Sequence, residues 1–431
     1  MISTVGESAS PSCGRGGRAG APRWRGGGAR GGAGPAPRVE VEGGVPVLRP
    51  TMADMRAPFE EYIERAEPWL REHGVGKIVP PREWVPRRGG YEDLQVEIPT
   101  PIRQHATGGR GVFRSMLVEC KPLPLRGEGG EGGKGFRELA QEQDRLRPAG
   151  GRPEDLERRF WKNVPFSPPM YGADVEGSAS DADCQGWSVP RLDTLLTRTL
   201  REQGGARGAG VVSPYLYFGM WRSFFGWHTE DLDLYSMNLL HFGAPKTWYC
   251  VPPRHRRRFE EMAKGLAPDL FRACPEFLRH KELLIAPSVL RKHGIEFSTF
   301  QQGPREWVIN YPGAYHAGFN HGYNCAESTN FATREWIPIG AKAKHCFCRP
   351  DTVRIDMGLF SEGGAGKESS SDSGEGAREA KTERVPWKKA LSPTGGRRRL
   401  GGPVQRLKRG AVAKVPRGKR SLRRSRARKH A

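Results

Sequence analysis

Between Tyr215 and Cys348, aromatic and branched residues alternate in short runs that Pro, Gly and Asn interrupt. Side chains two apart on a strand share a face, and runs this short bury that face only by packing on one another. The segment therefore predicts many short strands assembled into a sandwich or jelly roll. Its exception is PPRHRRRFEEMAKG, residues 252–265, which reads as a helix with Gly265 at its end.

Within this β-rich segment, His228 and Glu230 stand two positions apart in FGWHTEDLDLY, so on extended chain both project to one side. One imidazole and one carboxylate are two members of a facial iron triad. With 11 His in the chain, about one His-x-Asp/Glu is expected by composition alone, and a second occurs at His280 and Glu282. A strand with polar residues outward therefore stays open as a reading at this point. His316, in NYPGAYHAGFNHGYN, follows His228 by 88 residues, a separation at which a late strand can return beside an early one. Its neighbours Tyr315, Phe319 and Tyr323 are expected to keep the site dry.

Composition divides the rest of the chain. Residues 1–46 are Gly, Arg, Ala and Pro in low-complexity order, which predicts disorder. In PTMADMRAPFEEYIERAEPWLREHG, Thr51 and Asp54 have capping-box spacing and Gly74 supplies a stop, which predicts one helix. Paired prolines make GKIVPPREWVPR extended. Residues 125–153 form a Gly-rich, charged insertion, after which PEDLERRFWKNV resumes a helical stripe. Beyond Phe360 only Trp387 is aromatic, too little for a core. The formal net charge is +22, of which residues 397–431 carry 15 with no Asp or Glu, so the body is close to neutral and the tail is suited to a polyanion. No apolar run approaches the roughly 18 residues of a membrane span, and the first 46 residues are no apolar signal core. The expectation is no membrane and no secretion. Eight unpaired-looking cysteines fit a reducing compartment.

Taken with PYLYFGMWRSFFGWHTEDLDLYSMNLLHFGAPKTWY, the stretch around His316 resembles the JmjC domain of iron and 2-oxoglutarate dependent histone lysine demethylases. Residues 48–86 resemble the JmjN segment of the subfamily acting on trimethyl-lysine. The resemblance implies a mainly β fold with flanking helices: a double-stranded β-helix, or cupin-like jelly roll, with a JmjN segment and disordered termini. It implies JmjN over 47–90, a linking mixed region over 91–186, JmjC with a zinc site over 187–349, a flexible linker over 350–396 and a basic tail over 397–431.

By the same resemblance, His228, Glu230 and His316 hold Fe(II). A facial triad leaves three positions, enough for a bidentate 2-oxo acid and dioxygen. Lys246 suits the distal carboxylate of 2-oxoglutarate; the family adds Tyr171 as its partner, Asn238 near the other carboxylate, and Phe225 and Trp248 as walls. Gly210, Tyr217, Glu230, Ser328 and Thr329, with Tyr215 and Asn330 nearby, would line a methyl-lysine pocket. The implied reaction hydroxylates an N-methyl carbon and releases formaldehyde. It needs no nitrogen lone pair, so trimethyl-lysine qualifies.

Cys274 and His280, at C-x5-H, and Cys346 and Cys348, at C-x-C, are four ligands without an open position, as structural zinc requires. Buried free thiols are the alternative on spacing alone; the zinc-binding demethylases show the same set. After Cys348 the sequence has no cysteine and only His430, too little for a plant homeodomain finger or a Tudor cage before residue 431. The chain thus resembles short family members that favour position nine of the histone H3 tail. The implied partners are that tail and, through residues 397–431, the nucleosome or DNA; the implied location is the nucleus. Departures from the family occur at Arg49, at Ala244, and over 121–153 and 175–188. A JmjC protein hydroxylase and a noncatalytic chromatin-binding module are the alternatives.

Overall fold

The structure, a computed structural model, describes residues 36–127, 133–147, 152–202, 211–348 and 353–360. Eight strands form its central core: β1 (Tyr215–Gly219), β2 (Phe224–His228), β3 (Tyr235–Gly243), β4 (Lys246–Val251), β5 (Ser298–Gln302), β6 (Trp307–Asn310), β7 (Tyr315–Asn320) and β8 (Asn324–Phe331). In one sheet the neighbours run β6-β3-β8-β1, in the other β2-β7-β4-β5, all antiparallel. This is the expected double-stranded β-helix, with flanking helices.

The first sheet continues past both edges. Beside β6 lie Val75–Ile78, then Val45–Leu48 and Val39–Glu42; beside β1 lie Met170–Glu176, Ile102–Gly109, Val112–Glu119 and Leu283–Ile285. The strand Val39–Glu42 falls within the segment expected to be disordered. VEVE and VPVL flank Gly43 and Gly44, whose φ of +58° and +83° make the two-residue turn that matches strand twist.

The helix expected after Thr51 is two. Thr51 and Asp54 form the capping box of Met52–Arg56, but Pro58 disfavours helical backbone at Ala57, which is extended at ψ 163°. The second helix, Phe59–His73, buries Phe59, Tyr62, Ile63, Ala66 and Leu70, the one-sided spacing of a 3.6-residue repeat. Phe59 meets Phe331 of β8 at 5.2 Å and Trp187 edge-on at the same separation, so this helix seals the outer face of the first sheet. Gly74 ends it in left-handed backbone, its N–H donating to the Leu70 carbonyl at 2.7 Å.

Other expectations also shift. The Gly-rich insertion contains the helix Phe136–Asp144, with Phe136 and Ala140 buried. Gly265 lies inside the helix Arg256–Leu266, which ends where Pro268 starts the next one, Pro268–Ala273. Residues 353–360, placed in a flexible linker, pack Val353, Ile355, Met357, Leu359 and Phe360 onto the core that contains Phe59, Trp187 and Phe331. Their every-second-residue apolar pattern is the signal for it. The N-terminal segment 1–35 and the basic tail lie outside the described residues. Among the described residues no helix is long and apolar enough to cross a membrane.

Gly74 tests how closely the second helix is fitted to the sandwich. A Cβ there would lie 2.8 Å from Pro252 Cα, in a backbone region at φ +76° that costs an L-residue about 1–2 kcal/mol. Gly74→Ala is expected to lose at least that much stability, read as a lowered denaturant midpoint with unchanged slope.

Candidate functional site

Antiparallel pairing sets His228, the last residue of β2, directly opposite His316 of β7. Their ring centroids are 4.3 Å apart. Glu230 follows β2 in backbone that remains extended, φ −67° and ψ 156°, so the two-residue alternation carries past the strand end. Its Oε1 lies 3.3 Å from His316 Nε2 and 3.9 Å from His228 Nε2. His228 Nδ1 donates to the Gly226 carbonyl at 2.8 Å and His316 Nδ1 to the Ala314 carbonyl at 3.2 Å, which turns both Nε2 atoms toward Glu230 Oε1. Burial, then the His316 and Lys281 charges, hold His228 well below the usual imidazole range. Burial alone would raise Glu230, but the His316 hydrogen bond and the Lys281 charge outweigh it and keep the carboxyl well below the usual range. A neutral His228 imidazole beside an ionised Glu230 carboxylate suits a divalent cation.

The three groups head a cavity of about 220 Å³ between the sheets, lined also by Tyr171, Tyr215, Tyr217, Phe225, Asn238, Lys246, Trp248, Ser328, Thr329 and Asn330. It thereby gathers every proposed iron, cosubstrate and substrate residue except Gly210, which lies outside the described residues. Phe225 and Trp248 meet at 4.7 Å across Gly318, where a Cβ would come within 2.5 Å of the Phe225 ring. Lys246 is 1% exposed. Its Nζ donates to Asn320 Oδ1 at 2.7 Å and lies 5.8 Å from the Tyr171 ring centre, and among the described residues no carboxylate forms an ion pair with it. Burial pushes its pKa down to about 7. Asn238 Oδ1 is buried without a hydrogen-bond partner.

Several of these cavity side chains also make defined polar contacts within the protein. Asn330 Nδ2 donates to Glu230 Oε2 at 3.1 Å, so it orients the carboxylate. Ser328 Oγ donates to the Met237 carbonyl at 2.6 Å, and Tyr217 OH to Asp174 at 2.9 Å. Tyr315, Phe319 and Tyr323 do not line the cavity. On β7 the odd positions face outward: Tyr315 packs on Phe259 at 4.6 Å and Phe319 stacks on Phe160 at 4.1 Å, while Tyr323, just past the strand, packs on Phe242. Lys281, Asp174 and Asp231 line the cavity and were not singled out from sequence. The lysine follows His280 directly, but nothing in that spacing shows that left-handed backbone, φ +59°, turns it toward the other site.

The second cluster converges as well. Cys346 Sγ is 3.6 Å from Cys274 Sγ, 3.0 Å from Cys348 Sγ and 3.1 Å from His280 Nε2. The four ligand atoms lie within 4.8 Å of one another and could hold a metal. His280 and Glu282 thus do not form a second iron pair; Glu282 faces Arg114 at 3.5 Å.

Residues 215–331 match the family described as JmjC domain, hydroxylase. This stretch of the chain is similar to a JmjC domain. The chain is 46% identical to lysine-specific demethylase 4B of Mus musculus over 315 residues and 43% identical to lysine-specific demethylase 4D of Rattus norvegicus over 315. Over 313 residues it is 43% identical to probable lysine-specific demethylase 4F of Homo sapiens. These matches take in 73%, 73% and 72% of this chain, but only 28%, 60% and 47% of the respective relatives.

The buried lysine makes a stability test. Its folded pKa of about 7 lies below the unfolded value of about 10.4, so between those pH values the unfolded chain binds the extra proton and stability rises with pH. Lys246→Met is expected to stabilise the ligand-free protein near pH 7.5, on the order of 3 kcal/mol, and to flatten the rise between pH 7 and 10. Thermal melts across that range check both.

Proposed function

We propose that the protein is an Fe(II)- and 2-oxoglutarate dependent histone lysine demethylase acting on trimethyl- and dimethyl-lysine of the histone H3 tail, with position nine favoured. One observation carries this reading: a cavity with two imidazoles and a carboxylate converging at its head also contains a buried lysine that, among the described residues, has no carboxylate partner. The names of the relatives support the reaction class.

His228, Glu230 and His316 would hold iron, and Lys246 the distal carboxylate of 2-oxoglutarate, with Tyr171 beside it. Asn238, whose amide oxygen lacks a partner, would serve the other carboxylate after rotation of its amide. Phe225 and Trp248 would flank the carbon chain and exclude water. Bound iron and 2-oxoglutarate would supply, with dioxygen, the oxidation of an N-methyl C–H bond to a carbinolamine that collapses to formaldehyde. Asn330 keeps Glu230 turned toward the histidines throughout. Asp174 and Asp231, on the same cavity, suit a cationic side chain, and Tyr217, Ser328 and Thr329 place oxygens along its wall.

For the Cys274, His280, Cys346, Cys348 cluster we propose structural zinc, since three thiols and one imidazole leave no open position. The segment 47–90 serves as JmjN and 187–349 as the catalytic domain. The charge of the basic tail supports DNA or nucleosome contact and nuclear location.

Mass spectrometry of H3 peptides methylated at position nine, incubated with iron, ascorbate and 2-oxoglutarate, tests the reaction. Trimethyl and dimethyl peptides are expected to lose one methyl at a time, the monomethyl peptide slowly because its methyl is less often presented to the metal. His316→Ala should abolish the loss. One oxygen added to an unmethylated peptide, without methyl loss from any other, would instead mean a protein hydroxylase.

Elemental analysis should find one zinc per chain. Cys346→Ser is expected to lose it and to melt at lower temperature, because a structural site contributes folding free energy; zinc-free wild type would overturn the assignment.

A further inference from the structure

The two clusters meet in a three-residue run, Arg279–His280–Lys281. His280 belongs to the cysteine cluster. On one side of it, Arg279 Nη1 donates to the Glu230 backbone carbonyl at 2.9 Å and Nη2 to the Asp233 carboxylate at 3.0 Å. Glu230 and Asp233 are the ends of the tight turn that follows β2, closed by the Asp233 N–H on the same Glu230 carbonyl at 2.9 Å. The guanidinium spans that turn from outside. On the other side, the Lys281 carbonyl lies against Gly226, where a Cβ would come within 2.3 Å of it. Gly226 in turn supplies the carbonyl that fixes His228.

Neutralising buried Asp233 is the plain structural role for Arg279. Arg256 already performs it, with Nη1 2.6 Å from the other Asp233 oxygen. What Arg279 contributes beyond that charge is a donor on the Glu230 carbonyl, from a side chain 7% exposed and anchored next to a ligand of the second cluster.

We propose that Arg279 is a positioning residue for the triad: it fixes the backbone of Glu230, so that the carboxylate is held where His228 and His316 converge. The inference rests on the triad being a metal site, as proposed above. Asn330 holds the same residue by its side-chain oxygen, so Glu230 is constrained at both ends. Outer partners of this kind alter metal affinity about 10–100-fold when removed.

The test uses full-length protein with zinc content fixed by elemental analysis, and reads cobalt(II) binding at the triad by its visible spectrum. Arg279→Met is expected to keep its zinc while cobalt affinity falls at least tenfold and the spectrum shifts. Arg256→Met, which removes the other Asp233 partner but does not touch Glu230, should lower the melting temperature and leave cobalt affinity unchanged. If Arg279→Met does not fold, Arg279→Lys keeps the charge at Asp233 without the two-pronged reach and should show the same weakening. Unchanged affinity and spectrum in the Arg279 variant that folds, or an equal loss in Arg256→Met, would overturn the proposal. Wild-type protein taking up no cobalt that His228→Ala abolishes would overturn the metal reading itself.

Discussion

Pairing of β2 with β7 puts His228 and His316 face to face, and the rest of the site depends on that register. A slip of one residue would turn His316 outward and bring Tyr315 or Ala317 inward, since side chains alternate between faces. The register is held from both sides. Phe319, on the outward face of β7, stacks on Phe160 with rings only 4° from parallel. On the inward face Gly318 lies opposite both Phe225 and Trp248, and only the missing side chain there lets those rings meet. The same alternation that buries the outer core therefore shapes the inner cavity.

That cavity contains a destabilising element. Burying Lys246 with no opposite charge paired to it among the described residues costs folding free energy, in keeping with its depressed pKa. Asn320 accepts one hydrogen bond from it and is itself a donor to Ser223, so the lysine is held in place without being neutralised. A dicarboxylate reaching from Lys246 to the triad would relieve that cost. Binding would then draw a proton onto the lysine above about pH 7, and cosubstrate affinity would weaken as pH rises.

The core strands and the pairing of His228 with Glu230 were legible because both follow from local alternation, whereas His316 and the cysteine cluster were assigned with the family resemblance. Less legible were elements fixed by a single backbone event. Pro58 divides one amphipathic stripe into two helices, and the Gly43–Gly44 turn rescues a strand from a segment that composition alone marks as disordered. Phe136 and Ala140 anchor a helix within an insertion whose glycines dominate its composition. Apolar residues 353–360 likewise disappear in an average over a polar tail, yet five of them reach the core.

The supports of the triad divide along the same line. Each histidine is oriented by the carbonyl two residues before it, Gly226 for His228 and Ala314 for His316, a contact the local backbone supplies. Glu230 stands beyond the strand end, and its side chain has no such neighbour. Its side chain is oriented by Asn330, 100 positions later, and its carbonyl by Arg279, 49 positions later. Sequence spacing can therefore bring out His228 and Glu230, whose convergence is local. It cannot bring out the residues that hold the carboxylate, because only the closed sandwich brings β8 and the cysteine-cluster loop to the same turn.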